Sequence, residues 1–136
     1  MPENRETLQG KIVIPSSVYG KPVTKIAKHA FDNAKNITSV VVPDSVLEIE
    51  RDAFNGCLSL QRIRLPKNIK ALKNSTFEYC TSLREIEIPV CDEIGGGIFE
   101  KCTSLKKIHI PQQVKKIGKY LFKYCDNLTE ISVDEK

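Results

Sequence analysis

Apolar residues recur along this chain in a fixed order. Phe31, Phe54, Phe77, Phe99 and Phe122 stand 23, 23, 22 and 23 residues apart. Three residues after each Phe come Ala34, Cys57, Cys80, Cys102 and Cys125, and six after it Ile37, Leu60, Leu83, Leu105 and Leu128. Nine and eleven after it come the pairs Val40/Val42, Ile63/Leu65, Ile86/Ile88, Ile108/Ile110 and Ile131/Val133. An apolar pair around one outward position is a short strand with one buried face, so five strands are expected here. A sixth is expected at Ile12-Val13-Ile14, because Pro15 follows it as Pro43, Pro66, Pro89 and Pro111 follow the next four. A proline there lacks a backbone donor and turns the chain out of the sheet.

Beyond that corner, apolar residues return at Val23/Ile26, Val46/Ile49, Ile69/Leu72, Cys91/Ile94 and Val114/Ile117, which predicts short extended segments on a second side. The stretch Ala53-Phe54-Asn55-Gly56-Cys57 and its equivalents predict a single helical or 3₁₀ turn, too short to stand without neighbours. One such unit cannot enclose a core, whereas stacked copies bury Phe on Phe, Leu on Leu and Ile on Ile. The fold expected is a right-handed repeat solenoid of about five 22–23-residue repeats, in the manner of leucine-rich repeats, with residues 1–136 one domain and 11–133 the repeat region. Two irregularities stand out. The first corner, Ser16-Ser17-Val18-Tyr19-Gly20-Lys21-Pro22, is longer than its counterparts, and its Gly and Pro predict a tight turn or hairpin. One residue is missing before Gly95-Gly96-Gly97, where the backbone is expected to adjust its path.

The phrases Cys80-Thr81-Ser82-Leu83-Arg84-Glu85-Ile86-Glu87-Ile88-Pro89 and Cys102-Thr103-Ser104-Leu105-Lys106-Lys107-Ile108-His109-Ile110-Pro111, with Asp52-Ala53-Phe54-Asn55-Gly56-Cys57, resemble the BspA-type, or Treponema-type, leucine-rich repeat. The departures are Ala34 in place of Cys, Thr76, Ile98 and Leu121 in place of the Ala before Phe, and the Gly-rich third loop. The resemblance implies a curved solenoid from a family of surface and secreted proteins used for adhesion and protein binding, hence an extracellular or cell-surface location. It implies no catalytic residues and leaves the partner open.

Composition narrows this reading. The 136 residues, 40% hydrophobic and 28% charged, suit a folded chain and argue against disorder. No apolar run approaches the roughly 18 to 20 residues of a membrane span, and the opening Met1-Pro2-Glu3-Asn4-Arg5-Glu6 has no secretion signal. A net charge of +4 without Trp or an aromatic-basic cluster gives no indication of nucleic acid. Four cysteines share one repeat position and Cys91 replaces a Val or Ile, so buried free thiols are expected over disulfides or a metal site. His29 and His109 are far apart in repeat order, and no nucleophile, base and orienter are expected around them. Gly95-Gly96-Gly97 lacks the spacing and Lys of a phosphate loop. Asn36, Asn74 and Asn127 open Asn-X-Thr sequons, but Asn36 and Asn127 share a column with Ser59, Ser82 and Ser104, where a short polar side chain bonds the turn backbone. No catalytic, cofactor or metal-binding residue is expected.

The outward strand positions form two rows: Lys11, Ser39, Arg62, Glu85, Lys107 and Glu130, and Val13, Val41, Arg64, Glu87, His109 and Ser132. On a concave sheet, Arg62, Arg64, Glu85, Glu87, Lys107 and His109 are the candidate binding residues, with charges that alternate between strands and are expected to pair laterally. Residues 101–125 also hold seven lysines and no acid, whereas residues 78–93 hold five acids against Arg84 alone. Such runs are either solvated faces or an electrostatic footprint. The function expected is non-catalytic binding of a protein, or alternatively a glycan, with assembly by repeat stacking as the second reading. An end layer without an obvious cover, shielded at the first layer by residues 1–10, points to a longer array or to self-association through solenoid ends.

Overall fold

The structure, a computed structural model, describes residues 7–134. The opening six residues, read above for a secretion signal and as part of a first-layer shield, lie outside the described residues. The chain is a β-solenoid of about five turns. On the concave side β1 (Gly10–Val13), β5 (Ile37–Val41) and β7 (Arg62–Arg64) form one parallel sheet, and β10 (Lys107–Ile110) pairs in parallel with β12 (Glu130–Val133). On the second side two-residue strands β4 (Lys25–Ile26), β6 (Glu48–Ile49), β8 (Ala71–Leu72), β9 (Glu93–Ile94) and β11 (Lys116–Ile117) stack into an unbroken five-stranded parallel sheet. The long first corner folds as the hairpin expected, β2 (Ser17–Val18) against β3 (Lys21–Pro22), with Tyr19 and Gly20 at its tip, both at positive φ.

Each inward column is continuous. Successive Phe rings stack with centroids 5.3, 5.8, 6.0 and 6.1 Å apart and planes within 14° of parallel. Phe54, Phe77 and Phe99 are fully buried, beside Ile37, Leu60, Leu83 and Leu105. Burying one such side chain is worth roughly 1.5 to 3 kcal/mol, so the columns supply most of the cohesion between turns.

The turns that carry Phe are not helical, contrary to expectation, and the described residues contain no α-helix. Each holds two left-handed residues, two before and two after its Phe: His29 and Asn33, Asp52 and Gly56, Ser75 and Tyr79, Gly97 and Lys101, Tyr120 and Tyr124, with φ from 57° to 78°. These kinks aim alternate N–H groups at the next layer instead of along the chain. Asp52, Phe54 and Gly56 donate to the carbonyls of Asn74, Thr76 and Glu78 at 3.1, 3.0 and 2.8 Å, and the other layers repeat the pattern. A helix would leave these donors satisfied within one turn; the left-handed pairs convert them into a ladder that joins turns.

The cysteines are free and buried, as expected, and their role goes beyond filling space. The thiols of Cys57, Cys80, Cys102 and Cys125 donate to the carbonyls of Phe31, Phe54, Phe77 and Phe99 in the layer before, at 3.2, 3.3, 3.2 and 2.9 Å. Ala34 stands where no Phe turn precedes it among the described residues. Burial pushes the thiols of Cys80, Cys91, Cys102 and Cys125 above the usual range, which keeps them protonated and leaves Cys80, Cys102 and Cys125 able to donate.

The glycine loop does adjust the path. Gly95 lies against Asn74, and Gly118 so close to Gly96 that a Cβ there would sit 2.3 Å from the Gly96 nitrogen. Asn74 Oδ1 accepts the Gly96 N–H at 2.9 Å, and Asn127 Nδ2 donates to the Thr103 carbonyl at 2.7 Å, the turn-bonding role expected of its column.

The one missing strand is at residues 85–88. Ile86 and Ile88 are buried and Glu85 and Glu87 exposed, so the alternation is as expected. The segment nevertheless makes no ladder with β7 or β10, and the concave sheet is split in two. Upstream, Arg84 N–H still reaches the Gln61 carbonyl at 3.1 Å. The break sits at the short corner. Pro43 and Pro111 accept turn bonds from Val46 and Val114 at 3.1 and 3.2 Å; Ile69, three residues after Pro66, and Cys91, only two after Pro89, make no such bond. The lost ladder thus coincides with the corner that is one residue short.

Candidate functional site

Register fixes the concave face residue by residue. Lys11 aligns with Ser39 and Arg62, Val13 with Val41 and Arg64, Lys107 with Glu130, and His109 with Ser132. Arg62, Arg64, Glu85, Glu87, Lys107 and His109 are all exposed and all line one trough of about 1230 Å³. Its floor is the backbone of the stacked turns, laddered at β7 and β10 but not at residues 85–88, so Arg62, Arg64, Lys107 and His109 are presented with little backbone freedom to lose.

The lateral pairing expected across this face forms only in part. Arg62 comes within 4.0 Å of Glu85, a distant contact between exposed groups. Arg64 does not pair with Glu87. Its guanidinium turns to the preceding corner, donating to both Asp44 oxygens at 3.1 Å and to the Val42 carbonyl at 3.0 Å. The physical reason is geometric: Asp44 offers a two-oxygen acceptor to a planar fork, whereas the Glu87 segment is not in ladder register with β7. The Arg64 bond and the Lys67 N–H together hold the Asp44 carboxyl below its usual range. Among the described residues neither Glu87 nor Lys107 has an ion-pair partner within 4.0 Å.

At the other end His109 gathers partners that sequence order did not place. Its Nδ1 lies 2.9 Å from Ser132 Oγ and its Nε2 2.6 Å from Asp134 Oδ1. The expectation that no such trio assembles is therefore corrected. Ser132 is legible as a neighbour in the same row, whereas Asp134 lies beyond the last strand pair and outside both rows. Asp134 also accepts the Gln112 N–H at 3.3 Å. The His109 and Asp134 side chains are about half exposed, at 52% and 45%, so water competes for these bonds. The arrangement ties β10 to β12; it does not bury an acid behind a base as hydrolytic triads do. His29 instead lies 3.0 Å from Asp32, on the turn side. No group of three or more His, Cys, Asp or Glu among the described residues is arranged for a metal ion. No described helix is long and apolar enough to cross a membrane.

The repeat geometry agrees with the comparisons. The model of the BspA type leucine rich repeat region matches residues 6–129 in six copies, and the chain belongs to that family. A leucine-rich repeat protein of T. pallidum is 30% identical, with a TM-score of 0.84 over 90% of this chain and 72% of that one. A leucine-rich cell surface protein of Faecalibacterium prausnitzii is 35% identical, with a TM-score of 0.85 over 93% of this chain and 32% of that one. A leucine-rich repeat protein of Bacteroides ovatus is 31% identical, with a TM-score of 0.84 over 90% of this chain and 33% of that one. The chain thus spans about a third of the length of the last two. No curated protein matches at a significant level. Membership indicates a protein-interaction module of a typically non-enzymatic kind.

Proposed function

We propose that residues 11–133 act as one non-catalytic binding domain of a surface or secreted protein and hold a protein partner on the concave face, as an adhesion module would. The observation that carries this reading is the trough itself: six outward ionisable side chains, four of them on laddered strands and Glu85 and Glu87 on the unpaired segment between, with Glu87 and Lys107 free of internal ion pairs among the described residues. Preorganisation lowers the ordering cost of binding, and unpaired charges on such a surface steer a complementary partner. The cell-surface label of the F. prausnitzii relative supports the location.

The test is an array of purified extracellular-matrix proteins. For any protein retained, Glu87→Lys and Lys107→Glu should each weaken binding about tenfold with an unchanged unfolding midpoint, and added salt should slow association. Retention unaffected by both reversals but abolished by changes at Lys115 and Lys116 would move the site to the basic flank and overturn the assignment.

A further inference from the structure

A second surface lies on the Phe-bearing turns, away from the trough. Tyr79, Tyr120 and Tyr124 are 41%, 63% and 55% exposed and cluster with two lysines. Lys101 Nζ sits 4.1 Å from the Tyr79 ring centre and 5.7 Å from that of Tyr124, and donates to the Tyr79 hydroxyl. Lys123 Nζ sits 4.8 Å from the Tyr120 ring and 5.2 Å from the Tyr124 ring.

The fold does not ask for these rings. All three tyrosines occupy left-handed positions, at φ 63°, 64° and 61°, where a side chain with a Cβ costs about 1 kcal/mol or more relative to Gly. The seven equivalent positions elsewhere are His29, Asn33, Asp52, Gly56, Ser75, Gly97 and Lys101, of which all but Ser75 and Lys101 are residue types that tolerate this conformation well. An exposed cation–π contact returns only ~0.5 to 1 kcal/mol, which at best offsets the strain. Tyr79 and the pair Tyr120/Tyr124 lie two layers apart, and Lys101 of the layer between them bridges Tyr79 to Tyr124. Strain at bulky exposed residues is an indication of function when the surroundings would accept a cheaper residue.

What lies beside them indicates the ligand. Next to Tyr120 is a shallow groove of about 460 Å³ lined by Asn74, Ser75, Gly97, Glu100 and Lys119. It is walled by an aromatic ring and floored by backbone where Gly96 and Gly118 meet. This is not the dry apolar pocket that receives a protein hot spot. A ring face that can pack on the C–H face of a sugar, next to amide, hydroxyl and carboxylate groups that pair with sugar hydroxyls, suits a saccharide. Charge selects its kind. Glu78 and Glu100 lie near Lys101, but Lys119 and Lys123 have no acid within 4.0 Å among the described residues and stand ready for an anionic substituent. We propose that the Tyr79–Tyr120–Tyr124 face binds an acidic glycan, independently of the protein site in the trough.

The probes are heparin oligosaccharide and oligogalacturonate, with neutral dextran oligosaccharide and poly-glutamate as controls, measured by titration calorimetry on the full chain. Asn is the substitution of choice because Asn33 holds the same conformation. The combined Tyr79→Asn, Tyr120→Asn, Tyr124→Asn chain should bind an acidic glycan about tenfold more weakly, or ~1.4 kcal/mol, with an unfolding midpoint equal to or above that of the parent. Lys119→Gln with Lys123→Gln should also weaken it and flatten its salt dependence, and Glu87→Lys should not weaken it. The proposal is overturned if neither acidic glycan binds, if dextran or poly-glutamate binds as well, or if the Tyr variant binds like the parent while the Lys variant does not, since that is plain polyanion attraction.

Discussion

The two sides of each turn are built to different tolerances. On the Phe side, the ladder of Phe54, Phe77 and Phe99 N–H groups, the parallel rings and the thiol-to-carbonyl bonds run through every layer without a gap. On the concave side the same chain, in the same layers, loses its ladder at residues 85–88 although Ile86 and Ile88 stay buried. The stack is therefore held by its turn side and inner columns, and one strand of the binding face can fall out of register without unstacking the solenoid. A face relieved of the structural duty is one on which outward residues can vary for a partner.

The comparison breaks most visibly at the turn side. Phe77→Ala, with a stacked ring above and below, should lower the unfolding free energy by about 3 to 5 kcal/mol, whereas Glu87→Ala on the opposite side should change it by less than ~0.5 kcal/mol; urea unfolding of both variants measures the contrast. Next in size is Gly118→Ala, whose methyl would meet the Gly96 nitrogen at 2.3 Å. Overpacking against backbone should cost roughly 1 to 3 kcal/mol, read by the same unfolding curves.

The thiols sharpen the contrast through pH. Burial raises the folded-state values of Cys80, Cys91, Cys102 and Cys125 above the ordinary thiol range. A raised folded value means stability fully present below the unfolded-state pKa and lost as pH rises beyond it, as the unfolded thiols ionise first. Stability should decline above about pH 9, and less steeply in Cys102→Ala. At the acid end the sign reverses: the lowered Asp44 value means that its contact with Arg64 is kept above the ordinary carboxylate range and lost as pH falls below it. On this exposed pair, Asp44→Asn should remove that acid dependence with little change at neutral pH. The smallest effect is expected from inserting one residue between Val90 and Cys91 to match the other corners: near-neutral stability, but new amide protection at Ile86 and Ile88 by hydrogen exchange.

How much of this was legible in the sequence follows the same division. The columns were readable because burial enforces them through the inner repeats: Phe, Cys, Leu and the strand pairs lie where their spacing placed them, except in the last described layer, where the expected inward pair Ile131 and Val133 is exposed. The outward orientation of Arg62 to His109 was readable from alternation alone. The helical reading of the turns failed because eight of their ten left-handed positions are not glycine, so the kinks carry no consistent residue signal. The lost ladder at 85–88 accompanies a one-residue shortening beyond Pro89, outside the strand's own pattern, and the Arg64–Asp44 and His109–Asp134 contacts run diagonally between corner and strand, where repeat rows do not look.

Native-state hydrogen exchange, resolved by residue, tests the central claim most directly. The amides of Phe54, Phe77 and Phe99 should exchange only through global unfolding, while those of Glu85, Ile86, Glu87 and Ile88 exchange faster by local opening, at a rate distinct from β7 and β10. Equal protection of residues 85–88 and their neighbouring strands, or fast exchange along the Phe ladder, would contradict the division between a fixed turn side and a relaxed binding face.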